Sequence, residues 1–188
     1  MRRSREATAQ SRERIVSEAA QLFRERGIEG ASVADVMNAA GMTHGGFYRH
    51  FPDKDALVAA AVDRAVDDVI GQIDQQAATE GLGAAISAYV SMYLSDDHVK
   101  SPRYGCPIAA LASEARRAPE TTRAAVTNGL ASVVERIGKA LPCEPEDQRP
   151  AALAMMAMLV GTVVLARSTA DKALRDELLQ AARAQAIG

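Results

Sequence analysis

A run of polar residues in the first third of the chain has the composition of a surface that binds phosphates and the polar edges of nucleic-acid bases. Thr43 offers a hydroxyl and His44 a ring nitrogen where the sequence predicts the start of a short helix. The free amides and partial positive charge of a helix N-terminus attract phosphate oxygens. Tyr48, Arg49 and His50 add donors on the side expected to be exposed. These residues therefore predict contacts with phosphates and base edges.

Two glycines interrupt this short helix. Gly45 and Gly46 are poor helix formers, so a pair of them within two turns requires a reason. Close approach to a nucleic-acid backbone is one reason, because no side chain then stands in the way. Phe47 and Phe51 lie four residues apart and are predicted to anchor the inner side in a core. Lys54, in the first turn of the next helix, is expected to add a phosphate contact.

Cys106 is the second chemically informative residue. Pro107 at a first helical position places the thiol at a helix cap. The amides and dipole of a helix N-terminus lower the pKa of a thiol, which predicts reactivity towards electrophiles or oxidants. The alternative is a buried, inert cysteine that lines a pocket. Cys143 lies in a linker among prolines and glutamates and is expected to be unreactive.

A third set of residues predicts an effector pocket in the C-terminal part. Tyr89, Met92 and Tyr93 share one predicted helix and combine apolar bodies with two hydroxyls. A largely apolar pocket with a few polar groups is typical of a small-molecule site. We assign Cys106 and Met155 to the same ligand-binding set. The alternative is that these are ordinary core residues.

Helical spacing of apolar residues extends through almost the whole chain and defines the elements that must position these groups. Ser32 and Asp35 are predicted to form a capping box. Gly27 is predicted to adopt a left-handed backbone conformation, and Gly41 is predicted to end a helix. Residues 95–105 are predicted to be a loop. The helices are predicted at about residues 9–26, 32–40, 43–50, 54–79, 82–94, 107–118, 120–140, 146–167 and 171–186.

The composition narrows the class of protein. The chain has 188 residues and no Trp. Its formal net charge of −2 does not fit a protein that coats nucleic acid nonspecifically. Residues 1–54 hold nine Lys or Arg against seven Asp or Glu, a mild basic excess. No metalloprotease, P-loop or dinucleotide motif occurs, so catalysis, a cofactor and a metal are not expected. The basic N-terminus has no apolar core of a secretory signal, so a cytoplasmic protein is expected.

Residues 11–60 resemble the DNA-binding domain of the TetR family of transcriptional regulators. The resemblance begins with Arg14-Ile15, Ala19-Ala20-x-Leu22-Phe23-x-x-x-Gly27 and Ser32-Val33-x-Asp35-Val36, continues with Ala40-Gly41-Met42-Thr43, and closes with Gly46-Phe47-Tyr48-Arg49-His50-Phe51-Pro52-x-Lys54-x-Ala56-Leu57. It implies an all-helical homodimer of about nine helices, with three in the DNA-reading head and the last two in the dimer interface. Family members commonly carry a larger residue at one of the two glycine positions. Base readout is therefore expected to depend more on Thr43, His44 and Tyr48.

The apolar stretch between Arg149 and Arg167 agrees with a dimer. Its residues are apolar on two sides of one helix, and such a helix must be covered on both sides. One side is expected to face its own bundle and the other a partner subunit, which we favour over a membrane span. The two predicted faces are Ala151, Met155, Met158, Thr162 and Leu165, and Leu153, Ala157, Val160 and Val164.

These inferences combine into one hypothesis. The fold class is all-α, with a helix-turn-helix domain at residues 1–54 and a ligand-binding and dimerisation bundle at residues 55–188. The function is a repressor that binds a pseudo-palindromic operator in double-stranded DNA as a homodimer and is released by a small molecule or by modification of Cys106. The alternatives are a helical adaptor that binds no DNA, and an enzyme. The expected DNA contacts are Ser32, Thr43, His44, Gly45, Gly46, Tyr48, Arg49, His50 and Lys54.

Overall fold

The computed structural model describes residues 2–187, and the side chains of residues 6–186. The described chain contains nine α-helices, two 3₁₀ helices and no β-strand, which confirms the all-α prediction. In chain order the helices are α1 (Arg2–Gly30), α2 (Val33–Ala39), η1 (His44–Arg49), α3 (Lys54–Glu80), α4 (Leu82–Tyr93), α5 (Asp96–Lys100), η2 (Pro102–Tyr104), α6 (Pro107–Ala115), α7 (Glu120–Ala140), α8 (Pro145–Ser168) and α9 (Lys172–Ile187).

Local sequence signals fix the boundaries of the first two helices. Gly27 kinks α1 with a φ of 79°, a conformation that disfavours any residue with a Cβ atom. Ser32 and Asp35 form the predicted capping box at the start of α2, since each side chain accepts a hydrogen bond from the other residue's amide. Gly41, with a φ of 69°, ends α2. There the Met42 amide donates to the Met37 carbonyl at 2.8 Å, the pattern of a Schellman motif.

The third helical segment is a 3₁₀ helix rather than an α-helix. The Gly46 amide donates to the Thr43 carbonyl at 3.0 Å, and the His50 amide donates to the Phe47 carbonyl at 2.8 Å. Thr43 occupies the N-cap position, but its side chain makes no capping hydrogen bond. Phe47 and Phe51 are buried with their rings stacked at a centroid distance of 5.9 Å, as predicted. The aromatic anchors therefore hold a segment whose glycines weaken α-helix formation.

Helix α3 is the long element that joins the N-terminal helices to the bundle. Asp53 caps its start by accepting from the Ala56 amide at 2.8 Å. The helix packs against α1, α4 and α7. Gly129 in α7 permits the close approach to α3, because a Cβ atom there would lie 2.6 Å from Cγ2 of Val66. We call α1, α2 and η1 the head and the remaining helices the bundle. One contiguous set of buried apolar side chains extends from Ile15 to Ala182, so head and bundle share a core.

Residues 95–105 are not the irregular loop that the sequence predicted. Ser95 caps the short helix α5 by accepting from the His98 amide at 3.1 Å. The 3₁₀ helix η2 follows, with Pro102 at its first position. Arg167 of α8 holds the segment by donating to the carbonyl of His98 at 2.8 Å. The sequence of this segment is rich in turn residues and therefore predicted a loop. The residue that holds its short helices in place, Arg167, lies far away in the chain.

Helix α8 is apolar on two sides, but its buried face is offset by one residue from the first face that was predicted. The buried set includes Ala152, Met156, Leu159, Val163 and Ala166. Because apolar residues surround this helix, the sequence alone did not fix its rotation. Leu153 and Val164 of the second predicted face remain exposed, and so do Leu165 and, in α9, Leu174. Among the described residues, α8 is the one helix long and apolar enough to cross a membrane by length and composition.

Candidate functional site

Helix η1 presents the predicted nucleic-acid contacts on one exposed surface. Thr43, His44, Gly45 and Arg49 are exposed, and Tyr48 is 70% exposed. The Phe47 ring lies under this surface and meets the Tyr48 ring edge-on at 5.2 Å. Hydroxyl, imidazole and guanidinium donors thus project from a segment that its own aromatic side chains fix to the core. We call the exposed residues Thr43, His44, Gly45, Tyr48 and Arg49 the reading surface.

Two other predicted contacts have hydrogen-bond partners inside the protein, and a third is half-buried. The Ser32 hydroxyl donates to Oδ2 of Asp35 at 2.5 Å, so the capping box already uses it. The Lys54 ammonium donates to the Ile28 carbonyl at 2.5 Å, which turns it towards the end of α1 instead of outward. His50 is half-buried, and its Nδ1 atom has no hydrogen-bond partner among the described residues. The reading surface therefore depends on η1 itself more than on these flanking residues.

Gly45 has free space around it, which gives a direct test of close approach to DNA. A Cβ atom at this position would meet no protein atom within 4 Å, and φ is not in the left-handed region. We predict that Gly45→Ala stabilises the fold by about 0.4–1 kcal/mol, because the unfolded chain loses freedom. The same change should weaken operator binding about tenfold, or about 1.4 kcal/mol. Denaturant unfolding and fluorescence anisotropy measure the two effects.

Gly83 supplies the matched control for this substitution. It is exposed in the first turn of α4 and has equal free space around its Cα atom. Gly83→Ala should reproduce the gain in stability with operator affinity unchanged. Full operator affinity in Gly45→Ala would contradict the close-approach interpretation.

A cavity lies between α3, α4 and the segment that precedes α6. Its volume is about 540 Å³, within the range typical of small-molecule sites. Four of the five predicted ligand contacts, Tyr89, Met92, Tyr93 and Cys106, line it. Met155 does not line it and packs instead against the core. The other lining residues are Arg24, Asp67, Asp68, Val69, Gly71, Gln72, Gln75, His98, Tyr104 and Gly105.

Two tyrosine hydroxyls in the cavity wall make no hydrogen bond of ordinary length within the described residues, although the Tyr93 hydroxyl interacts with the Cys106 thiol. Tyr89 is 7% exposed and Tyr93 is 1% exposed, and both Oη atoms are buried. Burial raises the pKa of each phenol well above its ordinary value, so both stay protonated. A buried hydroxyl without a partner is destabilising. Because both Oη atoms are buried, a bound molecule reaches these hydroxyls only when the cavity wall rearranges.

The structure corrects the prediction of a lowered pKa for Cys106. The residue is the N-cap of α6, as the sequence indicated, but it is only 5% exposed. Burial raises the pKa of the Cys106 thiol above its ordinary value. The Tyr93 hydroxyl and the amides of Ile108 and Ala109 act in the opposite direction but are weaker than desolvation. The local helix-terminus argument failed because it carried no information on burial.

We predict that Cys106 reacts with iodoacetamide at least about tenfold more slowly than Cys143 at neutral pH. Cys143 is exposed, which reverses the order of reactivity expected from the sequence. Peptide mass spectrometry after timed labelling measures both rates, and Cys106→Ser identifies the peptide. The rate at Cys106 should rise with pH above the ordinary thiol pKa of 9.0. Equal rates at both cysteines would show that Cys106 is accessible and would contradict its shielding by burial.

His98 joins α4 to the Cys106 backbone in a single tautomer. Its Nε2 atom accepts from the Cys106 amide at 3.1 Å, so Nδ1 carries the proton towards the Tyr93 carbonyl at 2.6 Å. Burial, aided by the charge of Arg167, lowers the pKa of His98 below its ordinary value of 6.5, although the bond to Tyr93 opposes the shift. Protonation would place a second donor against the Cys106 amide. The neutral ring is therefore the form that holds this wall.

We predict that the free energy of unfolding decreases as pH falls below about 6.5, and that His98 accounts for part of this decrease. A histidine whose folded pKa is lowered stabilises the fold above its unfolded pKa, and this contribution disappears as both states become protonated. Urea midpoints at about pH 7.5 and about pH 5.5 measure the loss. His98→Gln should show a smaller difference between the two midpoints. An equal difference in both proteins would contradict the assignment.

The cavity wall makes polar contacts with α1, the first helix of the head. Nη1 of Arg24 donates to the Gly105 carbonyl at 3.1 Å. Arg103 donates from Nε to Oε1 of Gln21 at 2.9 Å, and its other nitrogens reach Glu25 at 3.2 Å and Glu18 at 3.3 Å. The three α1 partners of Arg103 share one helix face by their spacing. The wall of the cavity is thus fastened directly to the head.

A second joint connects α6 with the end of α1. The Glu114 carboxylate accepts from the Ile28 amide at 2.9 Å and the Glu29 amide at 3.3 Å. A Cβ atom on Gly27 would collide with this carboxylate. The glycine therefore serves both the kink and the contact with α6.

Comparison with known proteins identifies the family. A sequence model described as "Bacterial regulatory proteins, tetR family" matches residues 15–61. Another, described as "Transcriptional regulator LmrA/YxaF-like, C-terminal domain", matches residues 82–184. An uncharacterised HTH-type transcriptional regulator of Mycobacterium tuberculosis is 35% identical over 172 residues, which cover 85% of this chain and 86% of that protein. The chain belongs to the TetR family of transcriptional regulators.

Solved structures agree with this TetR-family fold. A TetR transcriptional regulator from Chloroflexus aurantiacus superposes with a TM-score of 0.75 at 28% identity, covering 98% of this chain and 94% of that one. The reduced form of Escherichia coli NemR superposes with a TM-score of 0.77 at 22% identity over 94% of each chain. The chain is therefore a transcriptional regulator with an N-terminal helix-turn-helix and a C-terminal helical domain.

Several residues of this TetR-family protein gave no sequence signal for their position. Arg24 belongs to no motif in the sequence, and Arg103 lies in the predicted loop at residues 95–105. His98 stood apart from every motif. The partner of Arg24, Gly105, lies 81 residues away in the chain, and Glu18 lies 85 residues from Arg103. His98 binds the Cys106 amide, which lies 8 residues away. The spacing of Glu18, Gln21 and Glu25 marks a polar face of α1 but does not name its partner.

Proposed function

We propose that this protein is a ligand-responsive repressor that binds a pseudo-palindromic operator as a homodimer in the cytoplasm. Residues 1–54 form the DNA-binding domain and residues 55–188 the ligand-binding and dimerisation domain. The observation that carries the proposal is the reading surface, where Thr43, His44 and Tyr48 project to solvent above a buried aromatic anchor. Residues near a recognition-helix N-terminus are the ones that reach base edges in the major groove.

The exposed apolar residues of α8 and α9 support the dimer. Leu153, Val164, Leu165 and Leu174 are large side chains left partly open to solvent. A two-fold axis through this surface would cover the same patch on both copies. Two reading surfaces related by that axis require an operator with two-fold symmetry. Half-sites about 34–36 Å apart, or somewhat further, are expected.

Release from DNA is assigned to the cavity. A small molecule that enters it would contact Tyr89, Met92 and Tyr93 and displace the Cys106 wall. Modification of Cys106 is the other route, in which an electrophile bonds to sulfur and the thiol proton leaves. Because the thiol is buried, this route requires transient opening of the wall.

Selection from random-sequence DNA followed by a reporter assay tests the proposal. The selected duplex, placed between a promoter and a reporter gene, should reduce expression when the protein is present. A compound library should then contain inducers that restore expression. Wild-type inducer responses that all persist in Cys106→Ser would exclude the modification route. A protein that selects no DNA sequence would instead support a helical adaptor.

A further inference from the structure

The segment between α5 and α6 has one side in the cavity and the other on the head. We call residues 101–106 the strap. Tyr104, Gly105 and Cys106 line the cavity. The intervening 3₁₀ helix η2 packs on α1. A molecule in the cavity and the first helix of the head therefore contact neighbouring parts of the same short segment.

The head side of the strap is held by charged groups. Arg103 contacts Glu18, Gln21 and Glu25 at 2.9–3.3 Å, so one guanidinium holds nearly two turns of α1. Arg24 returns from α1 to the Gly105 carbonyl at 3.1 Å and itself lines the cavity. Four polar contacts thus join a six-residue segment to a single helix of the head.

The opposite side of the strap is fixed to the bundle with little free space. The Cys106 amide donates to Nε2 of His98 at 3.1 Å. A Cβ atom on Gly105 would lie 2.7 Å from Nε2 of His98 and 2.9 Å from Nη2 of Arg167. Because this side is close-packed, displacement of the strap by a cavity occupant has to be accommodated on the α1 side.

Helix α1 also supports the reading surface. The Arg12 guanidinium lies 4.7 Å from the centroid of the Phe51 ring, one of the two aromatic anchors beside η1. The Ile28 carbonyl near the end of α1 accepts from Lys54, which follows η1 in the chain. A shift of α1 relative to the bundle therefore changes the support of the residues that directly follow η1.

We propose that the strap transmits occupancy of the cavity to the reading surface, with Arg103 as its positioning residue. The inference rests on the proposed function, since it names how that regulation travels. Coupling between two sites is reciprocal. Operator binding at η1 must then alter the strap even when the cavity holds no effector. The operator duplex itself is therefore a sufficient probe.

Hydrogen exchange of the full-length protein, with and without the selected operator duplex, tests the strap. Its amides are hydrogen-bonded, with Tyr104 donating to the Ser101 carbonyl at 3.2 Å and Gly105 to the Pro102 carbonyl at 2.9 Å. Operator saturation should slow exchange in the strap peptide about fivefold or more. In Arg103→Ala this slowing should be lost while operator affinity stays within about threefold of wild type.

Two variants distinguish the strap from general effects. Arg123→Ala removes an exposed arginine whose ion pair with Glu120 lies within α7, and it should keep the wild-type response. Glu114→Gln weakens the other joint to α1 and should keep most of the slowing in the strap. Loss of the slowing in Glu114→Gln with its retention in Arg103→Ala would overturn the proposal in favour of the α6 joint.

Anisotropy on the same samples separates two kinds of failure. Unchanged strap exchange in an operator-saturated wild-type sample overturns the inference about the strap and leaves the proposed repressor intact. Absence of operator binding overturns the proposed function and this inference with it. Slowing in wild type and Arg123→Ala, together with its loss in Arg103→Ala, supports the strap.

Discussion

Phe47→Ala is expected to lower the free energy of unfolding by about 3–5 kcal/mol. The Phe47 side chain is 1% exposed and packs against Phe51 and Tyr48, so truncation leaves a cavity beneath the reading surface. The 3₁₀ segment gains little from helix propensity, because Gly45 and Gly46 interrupt it. Its position thus depends on the aromatic anchor. Urea unfolding followed by circular dichroism measures the loss, and operator binding should disappear with it.

Phe47→Leu is the control for volume and should recover most of the lost stability, since a large apolar side chain again fills the site. If Phe47→Ala cost less than about 1 kcal/mol, the segment would have another support, and the proposed anchoring would be wrong.

Tyr48→Ala, unlike Phe47→Ala, is expected to lower operator affinity with little change in the free energy of unfolding. The ring is exposed and turned to solvent, so stability should stay within about 0.5 kcal/mol of wild type. Operator affinity should fall by about 1–3 kcal/mol, or roughly 5- to 150-fold, because a donor on the reading surface is lost. Anisotropy titrations on one duplex at fixed salt measure the change.

Tyr104→Ala is a matched control for Tyr48→Ala, because Tyr104 is equally exposed but lies at the mouth of the cavity. It should leave operator affinity in the absence of effector within about threefold of wild type. A full loss of stability in Tyr48→Ala, or no change in operator affinity, would remove Tyr48 from the reading surface.

The sequence determined the parts of the fold that depend on neighbours in the chain. Ser32 and Asp35 lie three residues apart, and Gly27 and Gly41 mark backbone conformations that other residues adopt with difficulty. These features are local, so one segment suffices to predict them. The pairing of Phe47 with Phe51 followed from helical spacing in the same way.

The cavity was predictable only where its residues share one helix. Tyr89, Met92 and Tyr93 fall on one face of α4 and all line the cavity. Met155 was assigned to it from a different helix, and the rotation of α8 places that residue elsewhere. The pKa of Cys106 was misjudged because a raised value depends on what covers the thiol, which distant residues decide.

The inward turn of Lys54 illustrates the same limit. The first turn of α3 is a suitable place for a phosphate contact, but the Ile28 carbonyl lies within reach and offers a partner. Which acceptor binds the ammonium depends on how α1 crosses α3, and no local pattern encodes that crossing. Arg103 and its partners in α1 depend on tertiary packing in the same way.

Fluorescence anisotropy on the selected duplex, repeated at several salt concentrations, tests the central claim most directly. The account predicts nanomolar binding of two chains to a palindromic sequence, with affinity falling steeply as salt rises because phosphate contacts release counterions. A duplex with one half-site scrambled should bind much more weakly. Weak binding that ignores sequence and symmetry would contradict the claim that η1 reads an operator as part of a dimer.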